Sequence, residues 1–397
     1  MSNTAPVVSL STAGAEPVPV PLLDINRQNE PLRDEILAAI TEVVDTGAFL
    51  KGPAVRDLEA EVARLCGVGH AVGCASGTDA ILVALMAHGV GPGDEVILPS
   101  FTFFATAGCV SRLGATPVFA DILPDTFNID PADIARRITP ATKAILPVHL
   151  FGQAADMDAI NALAAEHGLP VIEDAAQAIG ADYHGRPIGS LGSIGCISFY
   201  PTKNLGGMGD GGMITTDDAE LASRMRILCD HGQEPRYYHH MVGLNSRLDT
   251  IQAAALGVKL KRLAGYAAAR GRHAARYNEA FDNGAAGAVV TTPVEAPGCS
   301  SVWNQYTVRV AEGRRDALQS WLSERKIGAA IYYPVPLHLQ NCFADLGYQR
   351  GDLPHTERAA EEVLSLPVFP ELTAEEQDRV IDAVNAYAAV TSVRMAA

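Results

Sequence analysis

The chain has 397 residues, 48% hydrophobic and 19% charged, with 30 basic against 46 acidic side chains and a net charge of −16. That length supports two or three domains around sizeable cores. The acidic balance argues against nucleic acid as the main partner, since phosphate backbones need clustered cations, but leaves room for a small anionic substrate in a locally cationic pocket.

No apolar run approaches the ~20 residues of a membrane span, so no membrane partner is expected. Residues 1–21 are small, polar and proline-containing, and are expected to form a flexible tail. The seven cysteines are odd in number and include no C-x-x-C pair. They argue against a disulfide framework or a zinc site and fit a reducing, cytoplasmic setting.

From residue 30 to 255 helix-like and strand-like segments alternate. Helices are predicted over 31–46, 55–65, 78–87, 103–113, 131–138, 157–167 and 219–229. Strands are predicted over 95–99, 116–120, 144–149, 171–173, 194–200 and 212–216. Asp130 and Pro131 read as the N-cap and first position of the helix over 131–138. This alternation predicts an α/β domain over 22–255: a largely parallel sheet covered by helices on both faces, with ligands at the carboxyl ends of the strands. Past residue 250 the pattern changes. One long alanine-rich helix is expected over 251–277, interrupted only by Gly257, Gly265 and Gly271. Strands over 302–310 and 329–333 and helices over 315–325 and 373–387 follow. Residues 256–397 therefore read as a linking helix and a smaller α+β domain.

The chemistry centres on Cys196-Ile197-Ser198-Phe199-Tyr200-Pro201-Thr202-Lys203-Asn204-Leu205-Gly206-Gly207. One lysine stands just past a strand, in a glycine-rich loop. Asp174 closes another apolar strand in Val171-Ile172-Glu173-Asp174-Ala175-Ala176-Gln177. A Schiff-base lysine and a carboxylate that holds a pyridine nitrogen are what pyridoxal 5′-phosphate chemistry needs. Lys203 would hold the cofactor and, once released, carry the proton between two carbons. Asp174 reads equally as a helix N-cap, and Gln177 either meets the cofactor's phenolic oxygen or is an ordinary polar side chain. Ala75-Ser76-Gly77-Thr78-Asp79-Ala80 opens an apolar helix, whose free N–H groups favour a phosphate that Gly77 lets approach. Ser76 or Thr78 as a plain cap is the alternative. Ser198 offers the same phosphate a hydroxyl. Phe103 either stacks on the ring or belongs to the core. Arg247 either clamps a carboxylate or sits in a surface ion pair.

Two other readings are set aside. Gly207, Gly209 and Gly212 spell G-x-G-x-x-G, but a strand follows them where a dinucleotide site needs a helix. His231, His239 and His240 lack an ordered ligand set, so no metal is expected.

With these residues in view, the chain resembles the DegT/DnrJ/EryC1/StrS family of PLP-dependent nucleotide-sugar aminotransferases over roughly residues 20–390. The resemblance rests on Gly77-Thr78-Asp79-Ala80, Glu173-Asp174-Ala175-Ala176-Gln177, Ser198-Phe199-Tyr200-Pro201-Thr202-Lys203-Asn204, Gly209-Asp210-Gly211-Gly212 and Asn245-Ser246-Arg247-Leu248-Asp249. It implies PLP-dependent transferase fold type I (aspartate-aminotransferase-like), with a mostly parallel seven-stranded sheet in the large domain and a small α+β C-terminal domain. It implies a homodimer with shared sites. Lys203 would be the Schiff-base lysine and Asp174 the partner of the ring nitrogen. Gln177 would meet the phenolic oxygen and Phe103 would cover the ring. Gly77, Thr78 and Ser198 would hold the phosphate with Asn245 of the other subunit. Arg247 would meet the amino donor's carboxylate. L-glutamate would supply the amino group and a nucleotide-linked keto-sugar would take it, in amino-sugar and polysaccharide biosynthesis. The stretch around His231, Arg236 and His240 looks most like members acting on 3-keto sugars; 4-keto sugars are the alternative. Tyr332, Tyr333 and His338 would belong to the sugar pocket, unless Pro334 and Pro336 merely shape a buried turn. Some family members carry histidine in place of the lysine and dehydrate sugars; Lys203 argues for transamination. A non-enzymatic regulator that kept the fold is a third reading, against which the intact lysine, aspartate and arginine stand.

Overall fold

A computed structural model describes residues 18–395, with side chains to residue 391. Seven strands build the larger part: β1 (His70–Cys74), β2 (Glu95–Pro99), β3 (Thr116–Ala120), β4 (Thr142–Ile145), β5 (Ile172–Asp174), β6 (Ile194–Ser198) and β7 (Gly212–Thr216). They pair as a four-stranded sheet of order β1-β7-β6-β5 and a three-stranded sheet of order β3-β2-β4. Isolated parallel bridges, Ile145 with Val171 and Val148 with Asp174, lie between β4 and β5. The pairs β2–β3, β2–β4 and β5–β6 are parallel, while β7 runs antiparallel to both its neighbours. Every residue of β6 is buried, which suits a strand covered on both faces.

This topology positions the site. With β7 reversed, β1, β5 and β6 all point the same way. Cys74, Asp174 and Ser198 therefore end at one edge. The glycine-rich loop, residues 199–211, joins two antiparallel neighbours and is not a crossover. It is cinched by the Gly207 N–H donating to Phe199 O (2.8 Å) and the Phe199 N–H donating to Gly211 O (2.8 Å). Gly206 is needed there, because a Cβ would stand 2.2 Å from Pro201 O.

The smaller part holds an antiparallel sheet of Val290–Thr291, Tyr306–Val310 and Val363–Leu366. Helices Leu263–Asp282, Arg315–Glu324 and Ala374–Met395 accompany it, around a core that includes Tyr277, Phe281, Tyr306 and Phe369. Several segments depart from expectation. The long helix is two, Thr250–Leu260 and Leu263–Asp282, broken at Lys261–Arg262 and not at the glycines. Gly257 and Gly265 sit inside helices with open space beside them, so nothing forces a break there. The segment 329–333 is no strand: Ala330 alone pairs with Ser365 before the chain turns away. Residues 302–305 also leave the ladder, because the Val302 and Gln305 N–H groups bond Gly152 O and Phe151 O of the larger part. Of the expected tail, residues 1–17 lie outside those described. Val20 within it is buried and exchanges backbone hydrogen bonds with Lys326 and Gly328.

Candidate active site

At the end of β5, Asp174 is buried with two donors on its carboxylate. Thr106 Oγ1 donates to Oδ2 at 2.8 Å and the Ala176 N–H to Oδ1 at 3.2 Å. Burial lifts its pKa above the usual carboxylate range, against the pull of those bonds and of the Lys203 charge. No helix starts after Asp174, so it caps none: the Ala176 bond is a local turn contact, and the side chain reaches across to helix Phe104–Arg112. A buried carboxylate whose burial outweighs its donors suits a cationic N–H partner, as a pyridine ring presents when protonated.

Lys203 lies in the loop that leaves β6, its N–H donating to Tyr200 O at 2.8 Å. Burial of the amine draws its pKa down from 10.5 to about 8, and the Asp174 carboxylate pulls the other way. The amine thus stands near enough to feel Asp174, and its free base, a minor fraction at neutrality, reaches half at about pH 8. That is the state that attacks a carbonyl.

The third part is the start of helix Gly77–Ala87. Ser76 is its N-cap, with Oγ accepting the Asp79 N–H at 3.1 Å. A Cβ on Gly77 would fall 2.6 Å from Ser198 Cβ and 2.9 Å from Ser198 Oγ. The missing side chain brings the β6 hydroxyl against the helix N-terminus. Backbone donors, a hydroxyl and a positive helix end at one point form a fitting seat for a phosphate dianion. The cap reading of Ser76 therefore holds, and Gly77 with Ser198 supplies the rest. Thr78 is exposed beside them.

The residues present fit pyridoxal phosphate: an amine, a carboxylate and an anion seat on one strand edge. The sequence profile of the DegT/DnrJ/EryC1/StrS aminotransferase family matches residues 30–385. The chain belongs to this family. It is 53% identical over 92% of its length to a "pleiotropic regulatory protein" of Geobacillus stearothermophilus, covering 97% of that protein. It is 48% identical over 91% to the UDP-N-acetyl-3-dehydro-alpha-D-glucosamine 3-aminotransferase of Acidithiobacillus ferrooxidans, covering 96% of it. Among solved structures, DesV of S. venezuelae in complex with a ketimine intermediate matches with a TM-score of 0.90 and 46% identity, over 93% of this chain and 98% of that one.

The remaining candidates of this family member divide. Gln177 is buried; its Oε1 accepts the Phe151 N–H at 2.7 Å and its Nε2 donates to the Tyr333 hydroxyl at 3.2 Å. Phe103 is 58% exposed, so it is not core, and its ring lies 6.3 Å from that of Tyr333. Burial raises the Tyr333 pKa, keeping the phenol protonated. Tyr332 packs at 6.0 Å against Tyr333. His338 does not join them. It is buried, with Nδ1 2.7 Å from Ser100 Oγ and Nε2 3.3 Å from Glu357, and it shapes the interior turn.

Arg247 meets this site only at its Ser76 end. It pairs with Asp230 at 2.5 Å, Lys51 contacts the same carboxylate, and the Arg247 Nε is buried without a partner. Burial works against ionisation of Asp230, but the two cations outweigh it and hold its pKa down at about 2. Arg247 lines a cleft of about 620 Å³ with Lys51, Arg226 and Arg236, and a recess with Ser76 and Asp210. Asn245 is exposed on the same segment. His239 and His240 bond the carbonyls of His231 and Glu234.

Two features escaped the sequence reading. Thr106 reaches Asp174 from helix Phe104–Arg112, and nothing in the spacing of a lone threonine signals that. Glu173 and His149, both fully buried, meet at 3.0 Å beneath β5. An acid beside Asp174 inside an apolar strand was the available signal.

Proposed function

We propose that this protein is a pyridoxal 5′-phosphate-dependent aminotransferase that moves an amino group from L-glutamate to a keto carbon, C3 favoured, of a nucleotide-linked sugar. The observation that carries this is the buried Asp174, held by Thr106 at 2.8 Å, at the strand edge that also carries the Lys203 loop and the close approach of Gly77 to Ser198.

The cofactor supplies an electron sink for the carbon that loses its proton. This chain's residues do the rest. Lys203 would hold the cofactor through its amine, and its Nζ, when free, would take a proton at one substrate carbon and return it at another. Asp174 keeps the ring nitrogen protonated. Gly77, Thr78 and Ser198 seat the phosphate, and Phe103 covers the ring. Gln177 and Tyr333 offer polar atoms to the ring oxygen and the sugar, with Tyr332 beside them. The Arg247 guanidinium is assigned to the glutamate carboxylate.

The preference for a 3-keto sugar draws support from the Acidithiobacillus relative, which is named for a 3-dehydro sugar. The two sheets, with the bridges between β4 and β5, read as one seven-stranded sheet of fold type I. A homodimer with Asn245 reaching into the partner's phosphate seat completes the reading, in the cytoplasm. No helix of the described residues is long and apolar enough to cross a membrane.

The loaded protein is expected to show a visible absorption band that bleaches with L-glutamate and 2-oxoglutarate release. Lys203→Ala is expected to abolish sugar amination. A Lys203→Ala variant that aminates at the normal rate overturns the assignment. The relative named as a regulator makes the half-reaction with glutamate the decisive assay, since a non-catalytic protein would not bleach.

A further inference from the structure

We propose that Thr106 is a positioning residue for the reaction: its hydroxyl, itself oriented by Thr102, donates to Asp174 and fixes how that carboxylate faces the cofactor's ring nitrogen. The inference rests on the role assigned to Asp174 above.

The geometry is specific. Thr106 is 0% exposed and Thr102 2%. Thr106 Oγ1 lies 2.8 Å from Asp174 Oδ2 and 3.1 Å from Thr102 Oγ1. An ionised carboxylate only accepts, so Thr106 must donate to Asp174. Its single proton is then spent, and Thr102 must donate to Thr106. The polarity of the whole chain is set by the acid at its end, and each bond polarises the next. The Ala176 N–H holds Oδ1, so each carboxylate oxygen is tethered by its own donor. Such a carboxylate cannot turn freely about its Cβ–Cγ bond. Its remaining lone pairs point in fixed directions, as a partner for a planar ring nitrogen requires.

The helix that carries Thr106 serves this purpose. It starts at Phe104, directly after Phe103, so one turn of chain presents the exposed ring of Phe103 and, three residues on, the buried hydroxyl of Thr106. The other titratable groups around Asp174 are Lys203, His149, Tyr333, Cys109 and Cys196. None of the five makes a hydrogen bond to its carboxylate oxygens among the described residues, so Thr106 is the side chain that does.

The test uses the full-length protein. Thr106→Val keeps the shape and removes the donor, Thr106→Ser keeps the donor, and Thr102→Val removes only the outer link. Pyridoxal phosphate affinity is measured by titrating the apoprotein. The pH midpoint of the visible band is measured on the loaded protein. Thr106→Val is expected to weaken cofactor binding about tenfold, the cost of one hydrogen bond to a charged group. It should also raise the pH midpoint by about half a unit or more, because a less firmly protonated ring withdraws fewer electrons. Thr106→Ser should restore both, and Thr102→Val should move both less, in the same direction. A merely structural threonine would alter the melting temperature and leave the pH midpoint alone. Asp174→Asn is the control. If it shifts affinity and midpoint while Thr106→Val and Thr102→Val shift neither, the inference is overturned. If Asp174→Asn shifts neither, the role of Asp174 itself falls and takes the inference with it. Should Thr106→Val not fold, Thr102→Val decides by the same readings.

Discussion

Burial does two kinds of work on single residues here. It takes the Lys203 amine from 10.5 to about 8, and a lysine is a nucleophile only as free base. The fraction unprotonated therefore grows as pH rises through about 8 and saturates above it. Capture of pyridoxal phosphate by the apoprotein, followed by stopped-flow absorbance, should accelerate up to about pH 9 and then level off. An ordinary solvated lysine would keep accelerating beyond pH 10. Burial also presses Gly77 against Ser198. Gly77 has a backbone that any residue adopts, so Gly77→Ala fails only through contact, with Cβ 2.6 Å from Ser198 Cβ. It should cost about 1–3 kcal/mol of stability, by the usual scale of overpacking, and weaken phosphate-ester binding. Both are measurable by urea unfolding and cofactor titration. At this scale the sequence singles out Lys203, Asp174, Gln177 and Gly77 because residue type and spacing coincide there, and their roles are those proposed above. The surroundings of His338 could not be read that way, since Ser100 lies 238 residues from it.

Between elements, the deepest anchor is Glu173. Its carboxylate accepts N–H groups from Gly189 (2.9 Å), Leu191 (2.8 Å) and Gly192 (2.7 Å), and faces His149 Nε2. His149 Nδ1 accepts the Ala155 N–H, so the ring's proton sits on Nε2 and points at Glu173. One acid thus pins the turn that feeds β6 to the strand that ends in Asp174, fixing the two edges that carry the chemistry. Glu173→Ala strands two buried N–H groups and a part-buried third, at about 1 kcal/mol or more each. A loss of about 3 kcal/mol or more should appear in urea unfolding, and cofactor affinity should fall with it. Helices and strands with strong periodicity were legible at this scale to within a residue or two, as at 157–167 and 95–99. The strand His70–Cys74 was not: it is short, holds a glycine and shows no alternation. The reversal of β7 was equally hidden, because burial pattern carries no strand direction. The break at Lys261–Arg262 was hidden too, since Leu256 before it and Leu263 after it share one core and no glycine or proline stands there.

At the scale of the molecule, one chain leaves its own site open. Phe103, Phe104 and Tyr200, flanking the strand edge, are each about half exposed, Leu50 lines the Arg247 cleft, and Tyr237, Tyr238 and Val242 are exposed on the chain that follows its Arg236. Bulky apolar side chains around a polar recess suit the homodimer proposed above. A two-fold arrangement, in which each copy lends Asn245 to the other's phosphate seat, would close both at once. It makes an arithmetic prediction. Lys203→Ala removes the amine of one site, while Asn245→Asp sets a negative charge against the phosphate of the neighbouring site. Each variant alone should be nearly inactive. After mixing equal amounts and allowing subunits to exchange, half the dimers are hybrids, and each hybrid has one site with both groups intact. Sugar amination should recover to about one quarter of the unmodified rate. If Asn245 instead served its own chain, every site in the mixture would lack one group, and no activity would return.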